Sequence, residues 1–297
     1  MSDNEEEWNT IPVKQKNKKK TKGIRPVSND KHLKEVLDHK KEQWANEQNE
    51  YLKQLVTNDL NTWSFKINDK NHIIGDTNSN LPVKQLRYIG GVDISFIKNN
   101  EVDACACFVI LSFPNLNVVF RKCKMIELKE PYIPSFLAFR ECPPLVQLVK
   151  ECLSYKNCPK PDILLFDGNG ELHTRGYGAA CHFGYLLNIP TIGVAKDYFW
   201  IKDLPFNKES ISEKSIQLNQ NRGDYILLKG KSGKIWAVAL RSGDDASEPI
   251  FISVGHNISL KTALFIVRYC CKNDRIPEPT RIADFDSRQF IKNKQYN

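Results

Sequence analysis

Residues 161–200 read PDILLFDGNGELHTRGYGAACHFGYLLNIPTIGVAKDYFW, and this stretch decides the fold. Ile163 to Phe166 is an unbroken apolar run, too short for a helix and bounded by Pro161 and Gly168. Such a run reads as a strand buried on both faces. Asp167 ends it, and Gly168-Asn169-Gly170 turns the chain at once. A helix rich in small residues is expected from about Arg175 to Leu187, then a second apolar strand from Ile189 to Ala195 ending on Lys196. Two consecutive strands thus carry an acid and a base to one rim, at the carboxyl ends where α/β sheets gather ligands. The pair suits a phosphate-handling, metal-assisted site.

Working outward, Tyr88 to Phe96 (YIGGVDISF), Val102 to Phe113 and Val118 to Leu128 read as three strands joined by short turns. They make an antiparallel meander, and a meander followed by strand, helix, strand is a mixed sheet with helices outside it. Asp93 sits within the first of these strands, where a carboxylate is costly unless paired or bound to a cation. A salt bridge and a metal ligand are equally open to it. Between the halves lies PYIPSFLAFRECPPLVQLVKECL, with Pro131 and Pro134 stiffening a loop around an exposed Tyr132 and Ile133. Pro143-Pro144 is expected to open a helix through Leu153, and Arg140 beside Glu141 reads first as a surface pair.

Before the sheet, a helix capped by Ser28, Asn29 or Asp30 is expected to run to about Val56 and pack on it. Residues 57–82 read as a polar connection. Beyond Trp200, residues 201–222 form a polar insertion, and Tyr225–Lys229 with Lys234–Leu240 make a hairpin whose Gly-Lys-Ser lacks the context of a phosphate loop. Pro249 to Val254 is a further strand; His256, ahead of a helix from Ser259 to Cys271, reads as structural or as a cap partner. From Arg275 onward the pattern is irregular.

The chain of 297 residues has a net charge of +8, which favours an anionic partner. Much of that charge lies in residues 1–28, read as a disordered basic arm with six lysines between Lys14 and Lys22. The arm is equally open as a nucleic-acid contact, a nuclear or nucleolar address, or a solubilising tail. Nine cysteines without a CxxC pair imply reduced, buried thiols and an intracellular protein. Six scattered histidines argue against structural zinc, and no apolar run has the length of a membrane span. The acidic start MSDNEEEW is not a secretory signal. Residues 29–286 are expected to form one domain, followed by a tail at 287–297.

Side by side, GVDISF with Asp93, PYIPSFLAFRE with Glu141, LLFDGNGELHTRGYGAACHFG with Asp167, IPTIGVAK with Lys196, VGHNISL with His256 and RIPEPTRIAD resemble the motifs of the endonuclease V family, in that family's order. The wording of DGNG and RGYGAACH is closer to the eukaryotic branch, which acts mainly on RNA. The resemblance implies an α/β, ribonuclease H-like mixed sheet flanked by helices. It implies Mg²⁺-dependent hydrolysis, with Mn²⁺ able to substitute, at the second phosphodiester 3′ of inosine, leaving 3′-hydroxyl and 5′-phosphate ends. Asp93, Glu141 and Asp167 would be the metal ligands, with Lys196 at the scissile phosphate and His256 also in the active site. Tyr132, Ile133 and Pro134 resemble the family's wedge. Ser135, Leu137, Gly168, Gly170 and Gly178 would line the base pocket, with His173 and Arg175 beside the substrate, Arg175 being equally open as a structural residue. Ser135 stands where the family usually has glycine.

The implied partner is single-stranded or structured RNA containing inosine, bound by a monomer in the cytoplasm or nucleus, with no membrane involved. A deoxyinosine-directed DNA repair nuclease is the alternative within the class. A non-catalytic reader of inosine-containing RNA is disfavoured, because all three acids are present.

Overall fold

A computed structural model of the chain describes residues 30–75, 80–207, 210–211, 221–244, 248–272 and 274–295. The basic arm lies outside the described residues. The chain divides into two compact units, residues 1–40 and 41–297. Of the first, only the opening turns of α1 (Asp30–Lys53) are described, and the rest of the architecture belongs to the second.

The central sheet has eight strands in the order β6-β5-β4-β7-β8-β11-β10-β9. β4 (Tyr88–Phe96), β5 (Asp103–Ser112) and β6 (Val118–Glu127) form the expected antiparallel meander. β7 (Ile163–Asp167) and β8 (Thr191–Ala195) join β4 in parallel. β9 (Tyr225–Lys229), β10 (Ile235–Leu240) and β11 (Ile250–His256) complete the sheet antiparallel to β8 and to one another.

β7 is buried on both faces, as its unbroken apolar run requires. Ile163 and Leu165 join the core under α4 (Leu260–Cys270), with Ile266 and Val267, while Leu164 and Phe166 join the core under α2 (Leu137–Leu153) and α3 (Ala179–Leu187). Ser259 caps α4 by accepting from the Thr262 amide at 3.2 Å.

Four expectations about local structure are corrected. Residues 57–82 are not merely a connection: β1 (Thr62–Ile67) and β2 (Lys70–Ile74) form a hairpin, with β3 (Val83–Gln85) alongside β1. Trp63 and Phe65 alternate inward, and Asn68-Asp69 supplies the two positive φ values, 47° and 61°, that a tight hairpin turn requires. Second, α2 starts at Leu137, and Pro143-Pro144 lie inside it rather than opening it, so Glu141 stands on a helix and not in the loop. Third, α3 begins at Ala179 rather than near Arg175, after a glycine at φ 66° (Gly176) and an extended Gly178.

Fourth, the tail is a helix, α5 (Glu278–Gln295), opened by Pro279 and stapled by Arg281 on Glu278 at 2.8 Å. α5 lies directly against β4: a Cβ on Gly91 would come 2.1 Å from the Pro279 carbonyl oxygen. Only glycine permits that approach, and it brings Asp284 and Ser287 over Asp93. The α1 segment beyond Lys40 packs on α2 rather than on the sheet, with Trp44 stacked on Phe139 at 5.1 Å. In the polar insertion, Ile201, Leu204 and Ile211 are buried with β8–β10. All nine cysteines are free thiols, eight of them buried and Cys123 half-buried. No helix among the described residues is long and apolar enough to cross a membrane.

Candidate active site

Because β4, β7 and β8 are parallel, their carboxyl ends share one rim. Val92 pairs with Phe166, which sets Asp93 beside Asp167 on the face opposite those two apolar side chains. Lys196, directly after β8, donates from Nζ to Asp167 Oδ2 at 2.5 Å. Asp93 Oδ2 accepts from Ser287 Oγ at 3.1 Å and from Ser95 Oγ at 3.4 Å. Glu141 reaches the rim from α2. Its neighbour Arg140 is no surface pair: it is buried and donates to the carbonyls of Glu130, at 2.8 Å, and of Glu101.

The electrostatics show how closely these acids crowd. Burial, followed by the charges of Asp167 and Asp284, pushes the Asp93 carboxyl up to about 7. Burial and the charge of Asp93 push Glu141 up to about 7, with Asp167 adding to the effect and Arg140 opposing it. Asp167 is raised by burial, an effect Lys196 opposes. Asp284 is the acid the sequence reading passed over; its Oδ2 lies 3.9 Å from Lys196 Nζ, and it adds charge to both Asp93 and Asp167. It closes the RIPEPTRIAD motif, which is the signal in the sequence that points to it.

Among the described residues, no three His, Cys, Asp or Glu side chains are already gathered on a common point at metal-binding distances. Asp167 is turned to Lys196 and Asp93 to the two serines. The donor set nonetheless fits a hard cation: oxygen ligands only, mutually repelling, with two of them held partly protonated near neutrality by burial and by the neighbouring carboxylates.

Beside the acids lies a cavity of about 250 Å³ that Glu141 and Asp167 help to line. That is roughly eight times the share of one water in the liquid, ample for a ten-heavy-atom base. Of the substrate residues expected from sequence, Tyr132, Pro134, Ser135, Leu137, Gly168, His173 and Gly178 line it. Tyr132 is 65% exposed at its mouth. His173 is buried and stacked on Phe199 at 5.7 Å and 10°; burial, aided by the Arg175 charge, lowers it to about 4, so it is neutral. Phe199 was not anticipated; it directly precedes an exposed Trp200, and nothing in the local pattern separated the two.

Four expected site residues lie elsewhere. Ile133 is buried rather than exposed. Gly170 is packed beneath the turn, where its amide donates to Ser253 Oγ at 2.8 Å. Arg175 is structural: it donates to Gln48 Oε1 at 2.5 Å, Asn49 Oδ1 at 2.8 Å and the Ala45 carbonyl at 3.1 Å, tying the loop to α1. His256 is the largest correction. It ends β11 and pairs with Thr191, the first residue of β8, at the far end of the sheet from Lys196. Five residues of strand put it roughly 13 Å from the rim. There it is buried against Tyr185, and its Nδ1 accepts from the Val56 amide at 3.4 Å.

Ser135 holds φ 69°, a conformation that favours glycine. Its Oγ lies 3.2 Å from Thr174 Oγ1. Relief of left-handed strain, ~1–2 kcal/mol, outweighs the loss of one exposed hydrogen bond and the added chain entropy only narrowly. Ser135→Gly is therefore expected to leave stability unchanged or raise it by up to ~1 kcal/mol in thermal unfolding; a clear loss would deny the strain.

The sequence profile described as Endonuclease V matches residues 71–285. The endonuclease V of Mus musculus is 46% identical over 207 residues, covering 70% of this chain and 60% of that protein, so the match spans less than two thirds of the mouse relative. The Homo sapiens endonuclease V is likewise 46% identical over 207 residues, covering 70% of this chain and 72% of that one. Among solved structures, Ciona intestinalis endonuclease V bound to a 24-mer DNA with an inosine followed by a ribo-adenosine superposes with a TM-score of 0.74. It is 32% identical and covers 86% of this chain and 99% of that one.

Proposed function

The chain belongs to the endonuclease V family, and on that footing we propose that it is a Mg²⁺-dependent endoribonuclease cutting inosine-containing RNA at the second phosphodiester 3′ of the inosine. Its ends would be 3′-hydroxyl and 5′-phosphate. The observation that carries the reading is the crowding of Asp93, Glu141 and Asp167, with Lys196 in contact, beside a base-sized cavity.

Asp93, Glu141 and Asp167 would hold the cation, with Asp284 contributing a fourth negative charge from α5 and Mn²⁺ taking the same oxygen donors. When bound, the metal supplies charge relief on the phosphoryl oxygens and a more acidic water. Lys196 neutralises the scissile phosphate once its Nζ is released from Asp167. Tyr132 fills the gap in the stack that the flipped base leaves. The cavity receives hypoxanthine, which lacks the exocyclic amino groups of adenine and guanine. His173 lines it without adding charge; its Nδ1 accepts from the Arg175 amide at 3.3 Å, which leaves Nε2 as the protonated nitrogen.

Preference for RNA over DNA is supported by the Ciona complex, whose bound strand carries a ribonucleotide directly after the inosine. That same strand is otherwise DNA, which keeps a deoxyinosine-directed nuclease as the second reading. The nine free thiols support a reducing compartment, cytoplasm or nucleus.

The test is an inosine-containing RNA oligonucleotide, its adenosine twin and the matched deoxyinosine DNA, each incubated with protein and Mg²⁺. Inosine RNA should be cut at least ~100-fold faster than its twin, as expected when a site shaped to one edge pattern meets another. Equal cutting of inosine and adenosine strands sinks the specificity, and faster cutting of the DNA transfers the assignment to deoxyinosine.

A further inference from the structure

Away from the acids, three arginines converge on a second cavity. Arg222 precedes β9, Arg241 follows β10, and Arg268 stands in the last turn of α4; with their neighbours they enclose about 180 Å³. No acidic side chain is among the described residues that line it. Arg268 makes no hydrogen bond or ion pair among the described residues, and Arg222 donates to a single partner there, the Cys271 carbonyl. Gly223, at φ 91°, is what lets them meet: a Cβ there would come 2.6 Å from Arg268 Nη2. Arg241 donates to the Asp244 carbonyl at 2.8 Å, but the guanidinium groups of Arg222 and Arg268 have no ion-pair partner among the described residues, and an anion in the hollow relieves their repulsion. Guanidinium groups match phosphate oxygens in fork geometry.

The cavity's position in the sheet gives that phosphate a source. Phe251 pairs with Ala195, Leu240 with Ile250 and Tyr225 with Leu240, so the cavity stands at the same end of the sheet as Lys196. Arg275 bridges the two: it donates from Nη2 to the carbonyls of Lys196 and, at 2.8 Å, of Pro249, and its own carbonyl accepts from Ser242 Oγ at 2.6 Å. From β8 to β10 and β9 is two to three strand spacings, roughly 10–14 Å. At ~3.4 Å of rise per stacked nucleotide, that is about three or four nucleotides.

We propose that the Arg222–Arg241–Arg268 cavity is a second phosphate subsite, holding a backbone phosphate of the strand whose scissile bond lies at Asp167. The inference rests on the nuclease reading above and adds where the strand runs as it leaves the catalytic rim.

The test compares wild type with the double variant Arg222→Gln/Arg268→Gln, both exposed positions, using catalytically inert adenosine and inosine RNA in Ca²⁺. A strand of ~20 nucleotides reaches the cavity, whereas one with only ~2 nucleotides on each side of the inosine does not. On the long strand the variant should bind about tenfold more weakly at ~50 mM salt, and the slope of log Kd against log salt should fall by about one to two. On the short strand the difference should shrink below about twofold. Lys150→Gln, an exposed charge on α2, is the control and should change neither. Unchanged affinity and slope on the long strand overturn the proposal, as does an equal loss on both strands, which marks a general field rather than a subsite. A thermal shift by inorganic phosphate that the variant loses, with long-strand affinity intact, also overturns it in favour of a small-anion site. If wild-type protein cuts no inosine substrate while the long-strand difference persists, the nuclease reading falls and the subsite stands.

Discussion

Asp167→Asn is expected to abolish strand cleavage, by about 10³-fold or more, while leaving RNA affinity within a few-fold of wild type. The size follows from what the carboxylate does: stabilisation of developing phosphoryl charge is worth several kcal/mol, and each 1.36 kcal/mol is tenfold in rate. Asparagine keeps the shape and one oxygen but loses the negative charge that the proposed cation requires. It also ends the 2.5 Å ion pair with Lys196, so the ammonium is freed toward phosphate. That is why binding should hold or tighten slightly while chemistry stops. Single-turnover cleavage and equilibrium binding of the same inosine oligonucleotide separate the two. A parallel loss of both would make Asp167 a folding or binding residue; the far-ultraviolet spectrum and thermal midpoint distinguish those. Cleavage retained within tenfold would remove the acid cluster from the chemistry altogether.

How much of this was legible in the sequence depended on whether a signal was local. The run Ile163 to Phe166 had one reading, because four apolar residues between a proline and a glycine make a buried strand whatever surrounds them. Asp167 and Lys196 were located by the ends of their own strands. The hairpin at Thr62–Ile74 was equally local, with Trp63, Phe65 and Ile67 alternating about Asn68-Asp69, but the surrounding asparagines hid it. The start of α2 is hidden in the sequence because Pro143-Pro144 are equally legal at a helix opening, although the first six residues of the helix come before them. His256 failed for a different reason. A histidine at a strand end faces one rim or the other according to strand direction, and direction is set by pairing partners far away in the chain. β11 runs antiparallel to β8, which carries its last residue away from the acids. Asp284 required the same long-range knowledge: its place over Asp93 depends on α5 lying against Gly91, a contact that no local pattern encodes.

The crowded acids also make a prediction about stability without any substrate. Asp93 and Glu141 are both held at about 7 in the folded chain, whereas unfolded carboxyls titrate near 4. A group raised on folding gives stability that is complete below its unfolded pKa and is lost as pH rises through its folded one. These two acids therefore take stability away between about pH 4 and pH 7, while His173 and His182, both lowered to about 4 by burial, add it up to about pH 6.5, so metal-free protein should show its net loss above about pH 6.5. A carboxyl raised by some three pH units costs roughly 4 kcal/mol when forced to ionise. Because the two acids repel each other, the joint cost is less than twice that. Lys196, raised by its carboxylate neighbours despite burial, titrates far above this window and leaves the trend alone. Mg²⁺ should reverse the slope, since it binds the ionised set: at a hundred times its Kd it adds about 2.7 kcal/mol, and it should add more at pH 8 than at pH 6. Asp93→Asn removes one repelling charge while its side chain can still meet Ser287. It should raise the metal-free midpoint at pH 8 by several degrees, at ~2–4 °C per kcal/mol, flatten the pH profile, and lose most of the response to Mg²⁺. Thermal unfolding at three pH values with and without Mg²⁺ reads all of this at once. A variant less stable than wild type at pH 8 without metal, or a wild type indifferent to Mg²⁺, would mean that these carboxylates are held by the fold for its own sake and not for a cation.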